Sequence, residues 1–148
     1  MGLGEELEAD LRQALRAGDA VRVSTIRLAR AAIKNAEIEK QRPLTDEEIQ
    51  DILLTEVKRR REAIEAFDRG GRDDLSRQES LEMAILIRYL PAPLTEEDLR
   101  RVIAEVIADV GAATPGDAGR VMAAVMPKVR RRAEGAVVNR LVRQVLGG

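Results

Sequence analysis

Leucine stands at positions 3, 7, 11 and 15, and apolar residues three or four apart recur in almost every segment that follows. That spacing returns side chains to one face of an α-helix, whereas a strand half-buried in a sheet alternates by two. No stretch of the 148 residues alternates in that way. The chain therefore reads as all-α and multihelical. At this length a folded protein buries roughly 70% of the surface its unfolded chain exposes, enough for a real core. Only Phe67 and Tyr89 are aromatic, so Leu, Val, Ile and Ala must fill that core.

Start and stop signals divide the pattern into helices. The first spans about 3–17 and stops at Gly18; Asp19 caps a second, over 20–40. In Pro43-Leu44-Thr45-Asp46-Glu47-Glu48-Ile49, Thr45 and Glu48 form a capping box, with Leu44 and Ile49 as its hydrophobic staple. The helix that follows, over 46–69, shows Ile49, Leu53, Val57, Ile64 and Phe67 on one face and ends at Gly70-Gly71. Asp73 or Asp74 caps a fourth, over 75–90, whose C-terminal half is apolar nearly all round and should be buried. Pro91-Ala92-Pro93 pushes its neighbours out of helical conformation, so two lobes are expected, 1–90 and 94–148.

The second lobe reads as three helices. Thr95 repeats the capping device for 96–110. Thr114-Pro115 opens a helix with proline at its first position, which reaches about Met126 and is ended by Pro127. A last helix covers 134–146.

Cysteine and histidine are both absent. Thiolate nucleophiles, Cys/His zinc sites and a histidine general base are excluded together. There is no phosphate loop with its lysine, and the paired acids fall in first helical turns, where the macrodipole favours them. The beginning of the chain is acidic and lacks a signal-peptide apolar run, and no run approaches the ~20 apolar residues of a membrane span. The cytoplasm, with no membrane and no metal, is the resulting expectation.

Charge is what remains. The net charge of −1 hides an asymmetry. Residues 91–118 carry six acids against Arg100 and Arg101, whereas residues 119–148 carry Arg120, Lys128, Arg130, Arg131, Arg132, Arg140 and Arg143 against Glu134 alone. A cationic stretch between helix ends suits phosphate contacts, and without base-stacking aromatics those contacts would be to backbone and shape. Arg60 is different. It falls inside the apolar stripe of the third helix, with Glu56 four residues earlier on the same side, and is expected to pair with acid between helices or lobes.

The run Gly119-Arg120-Val121-Met122-Ala123-Ala124-Val125-Met126-Pro127-Lys128-Val129 resembles the G-K-V-M-x-x-[VL]-M-P-K-[VL] signature of the YqeY family. Glu134-Gly135 and Val138-Asn139-Arg140-Leu141-Val142 are similar to its D-G and [VI]-N-x-[LV]-V elements. Ser24 to Leu28, Glu56 to Phe67, Gly71 to Leu75 and Tyr89-Leu90-Pro91 match the pattern upstream. Where the family has K-x-K-A-D-G, this chain has Arg130-Arg131-Arg132-Ala133-Glu134-Gly135: charge is kept, but the potential cap is one methylene longer.

YqeY-like proteins are similar to the tail domain of the B subunit of the tRNA-dependent amidotransferase. The resemblance implies a non-catalytic, tRNA-contacting accessory module using Lys128, Arg130, Arg131 and Arg132, helped by Arg120, Asn139, Arg140 and Arg143. Gly119 and Gly135 would allow close approach or positive φ, while Met122 and Met126 belong to the core. A second reading is an adaptor docking on an aminoacyl-tRNA synthetase or amidotransferase. A third is an inherited carbon–nitrogen ligase label (glutamine as amido donor) without autonomous activity, since no nucleotide site or glutaminase nucleophile is seen.

Overall fold

The computed structural model describes residues 2–147, and all regular structure among them is helical. Helices α1 (Leu3–Ala17), α2 (Ala20–Lys40), α3 (Asp46–Arg69) and α4 (Asp73–Ile87) precede the prolines. Helices α5 (Glu96–Val110), α6 (Ala118–Val129) and α7 (Gly135–Val145) follow them, with a 3-10 turn over Pro115–Asp117 entering α6. The chain divides into two compact units, Met1–Leu90 and Pro91–Gly148.

Local signals set most boundaries. Asp19 accepts the Arg22 N–H at 3.2 Å. Thr45 and Thr95 each accept the backbone N–H three residues on, and Glu48 and Asp98 return the bond to the cap's own N–H. Glu48 also receives Arg42 and Lys40, and these two cations, Arg42 first, hold its carboxyl far below the usual range. At the end of α3, Gly71 takes φ +70, and the Arg72 N–H reaches back to the Phe67 carbonyl at 2.9 Å. A residue with a Cβ would be strained there.

In the first unit, Leu7, Leu11, Ile26, Ala29, Ile33, Ile49, Leu53, Val57 and Leu86 form the core. Side chains four apart drift by about 40° around a helix at 3.6 residues per turn. Leu15, the last of the leucine row, has accordingly turned out to 50% exposure, and Ala14 is buried in its place. The second unit closes over Leu99, Ile103, Val106, Val121, Val125, Val129, Val138, Leu141 and Val142, with Met122 and Met126 half-buried against them.

Several expectations are corrected. α4 begins at Asp73 and ends at Ile87 rather than spanning 75–90. Arg72 takes the cap position without a side-chain capping bond, and Asp73 and Asp74 lie inside the first turn. Residues 88–90 turn away because Leu90 precedes a proline. The end of α4 is not wrapped in protein: Leu86 is buried, but Leu81 is 50% and Ile87 41% exposed.

Pro127 does not end α6, which continues to Val129. Its ring removes a donor to the Ala123 carbonyl, yet both residues face solvent, so that carbonyl is left open to water rather than buried. The three further residues bring Val129 fully into the core. α7 begins at Gly135 and ends at Val145, one residue inside the expected span at each end. Glu134 stands at its cap position with no side-chain capping bond. Neither Gly119 nor Gly135 has positive φ, and a Cβ at either would meet nothing within 4 Å, so neither expected reason for glycine applies.

Candidate nucleic-acid interface

The cationic segment folds as the end of α6, a tight turn and the start of α7. Lys128 is exposed in the last turn of α6 and has no ion pair or hydrogen bond among the described residues. Arg130 (φ −52, ψ 136) and Arg131 (φ 69) form the corners of a type II turn, closed by the Arg132 N–H on the Val129 carbonyl at 2.9 Å. The second corner normally favours glycine; an arginine there is held in the left-handed region at a cost on the order of 1 kcal/mol.

Arg132 fastens this turn to the strap before α5. Its carbonyl accepts the Leu94 N–H at 2.9 Å, and its Nε donates to the Ala92 carbonyl at 3.0 Å. Its charge adds to the lowering of the Asp98 carboxyl, after the larger effect of the Thr95 hydroxyl. Arg132 thus ties secondary structure together besides adding charge.

The other expected residues are dispersed around the unit. Arg120 lies eight residues before Lys128, about 12 Å along the axis, and pairs with Asp117 at 3.4 Å. The Asp117 carboxylate is itself occupied by the Ala113 and Thr114 N–H groups, which lower its pKa. Arg140 donates to Glu96 on α5 and is the main reason that carboxyl is lowered. Arg100 stands 3.7 Å from the same carboxylate and donates to Gln144 at 3.2 Å, completing a bridge between α5 and α7. On another flank of α7, Arg143 donates to the Asn139 amide oxygen at 3.0 Å.

The structure therefore brings Lys128 and Arg130 to Arg132 together at one end of α6. Exposed pairs such as Arg140–Glu96 contribute little to stability, so competing phosphates can exchange them at small cost.

The first unit holds two features of its own. Arg60 is only 7% exposed, 3.2 Å from Glu56 and 3.4 Å from Glu82, so it pairs across α3 and α4. The approach to Glu82 satisfies charge proximity but not hydrogen-bond geometry at Nε. Burial first, then Glu82, raises the neighbouring Glu79 carboxyl, and Arg60 opposes that rise. Sequence reasoning also passed over Arg27, Arg30 and Lys34 on α2. The available signal was that α2 has apolar residues on two opposed faces, visible when its positions are set out at 100° intervals.

A family model described as Yqey-like protein matches residues 4–146. Among curated proteins, the chain is similar to "Altered inheritance of mitochondria protein 41, mitochondrial" from three fungi. The Eremothecium gossypii protein is 41% identical over 87 residues, 58% of this chain and 48% of the relative. The Kluyveromyces lactis protein is 33% identical over 113 residues, 74% and 60% of the two chains. The Pyrenophora tritici-repentis protein is 26% identical over 145 residues, 95% and 79%. The chain thus spans about half to three-fifths of the length of the first two relatives. None of these names designates an enzyme. They describe mitochondrial proteins, which overturns the cytoplasmic expectation; the start of the chain had spoken only against a secretory apolar run.

Proposed function

This chain belongs to the Yqey-like protein family, and from that premise we propose that it is a non-catalytic accessory protein that holds structured RNA, most specifically tRNA, through its C-terminal unit. The observation that carries the proposal is the cationic corner formed by Lys128, Arg130 and Arg131 at the end of α6. Two of its three cations lie on adjacent corners of one closed turn, so their backbone is already ordered before a ligand arrives. Preordering removes part of the entropic cost of binding. Arg132, anchored to Ala92, fixes that corner against α5 and adds charge behind it. Lacking aromatics for stacking, the corner suits phosphates of a folded RNA rather than bases of a single strand.

The test is a titration of total tRNA into the full chain at two or more salt concentrations. Binding should weaken steeply with salt. A Lys128→Ala/Arg130→Ala/Arg131→Ala variant should bind more weakly and show a log–log salt slope shallower by about 0.7–0.9 for each phosphate it no longer neutralises. No binding at low salt, or an unchanged slope in the variant, would sink the proposal. Glutamine- and ATP-dependent turnover by the isolated chain would overturn its non-catalytic part.

A further inference from the structure

We propose that the groove between α1 and α2 of the first unit is a docking site for an acidic amphipathic helix of a partner protein. α2 turns one apolar stripe to the core, through Ile26, Ala29 and Ile33. Its opposite side presents Ala20, Leu28, Ala31 and Ile38, with Leu28 57% and Ile38 67% exposed. A helix with apolar residues on two opposed faces is normally covered on both.

The surface beside that ridge is concave along much of its length. A shallow hollow at one end is bounded by Leu15, Val23, Arg27 and Leu28. A groove of about 650 Å³ continues from Arg27 past Arg30 and Lys34 to the first turn of α1 and the start of α3. From Ala20 to Lys34 the run is about 21 Å, four turns of a docked helix.

Charge decides what kind of helix fits. α2 is the one helix of the first unit with more basic than acidic residues. Arg27, Arg30 and Lys34 recur at helical spacing along the groove, exposed and with no ion pair or hydrogen bond among the described residues. The acids in the groove are largely engaged: Glu37 accepts the Leu44 N–H at 2.9 Å and Asp46 the Leu3 N–H at 3.0 Å, leaving Glu5. An acidic edge would meet the three cations while leucines on the docked face cover Leu15 and Leu28. RNA phosphates would satisfy the cations but leave those leucines in water, and the groove has no aromatic to stack a base. A protein helix is therefore favoured over nucleic acid.

The probe is a fluorescein-labelled, lactam-stapled four-turn peptide with leucine on one face and glutamate along the adjoining edge, titrated into the full chain and read by anisotropy. Binding is expected to weaken with salt and to fall at least tenfold in Arg27→Glu/Arg30→Glu/Lys34→Glu. It should fall severalfold in Leu28→Ser and be unchanged in Lys128→Ala/Arg130→Ala. The same peptide with lysine for glutamate should not bind. These side chains are exposed, so circular dichroism and the melting curve should match the parent. Absent binding, or binding indifferent to the triple variant, overturns the proposal. So does a dimer of the chain that the triple variant dissociates, since a second copy would then cover this face, or competition by total tRNA that depends on the three α2 cations.

Discussion

Removing the charge of Arg60 tests whether the first unit depends on its buried ion cluster. The guanidinium has 8% of its side chain exposed, and Glu56 and Glu82 have 16% each, so solvent screens the cluster little. Arg60→Leu leaves these carboxylates, with Glu79 nearby, without their shared cation. Breaking a buried pair by deleting one partner costs about 3–5 kcal/mol. Against a typical total of about 5–15 kcal/mol, that is a large share. At about 4–8 °C per kcal/mol for a unit of this size, melting should fall by about 12–40 °C. Replacing the cation and both partners together, Arg60→Leu/Glu56→Leu/Glu82→Leu, should recover most of the loss, because apolar replacements remove the desolvation penalty along with the pair.

The pH dependence supplies a second check. In the folded protein the Glu79 carboxyl lies above its ordinary value of 4.5, owing to burial and then Glu82, with Arg60 holding it down. Without Arg60 it rises further. A carboxyl whose folded pKa exceeds its unfolded one destabilises the fold when ionised. The penalty is therefore full above the folded pKa and fades as pH falls toward 4.5 and below. Urea unfolding followed by circular dichroism should show the deficit of Arg60→Leu shrinking between pH 7.5 and pH 4. A deficit below about 1 kcal/mol at pH 7.5, or one equal at both values, would refute the reasoning, given what buried pairs normally cost to break.

Three further expectations are open to simple measurement. Asp19→Ala removes the side-chain cap of α2 and should cost about 1 kcal/mol in urea unfolding; Asp19→Asn, which retains an acceptor, should cost less. The hydroxyl of Tyr89, the single tyrosine, donates to Asp10, and burial first, then that carboxylate, raises its pKa above 10. Its phenolate absorbance should emerge at higher pH in the native protein than in urea, whereas coincident curves would show the contact to be unformed in solution. Leu141 is fully buried among α5, α6 and α7, so Leu141→Ala should lower stability by about 2–5 kcal/mol. A loss under 1 kcal/mol would mean that this core is loosely packed.

Helical periodicity, the two threonine boxes and the Asp19 cap were readable from the chain because they act within four residues, where spacing alone fixes which groups meet. The family signature was readable for a related reason, being a contiguous string. Other features required the folded partner. Pro127 was expected to end α6, and the burial of Val129 carried the helix through it. Leu15 belonged to the leucine row by spacing and left the core by angular drift. The C-terminal half of α4 looked buried by composition, yet Leu81 and Ile87 face water, since composition cannot say whether another element is present to cover a face. Arg60 could be assigned Glu56 from the sequence, but Glu82 only once α3 and α4 were packed together. The cations after Pro127 formed one string in sequence; folding left Lys128 exposed, gave Arg132 a carbonyl on the strap and Arg140 a carboxylate on α5. Sequence determines what neighbours within a helical turn can do, while tertiary structure decides which charges are consumed internally, because those partners lie as many as 79 residues away.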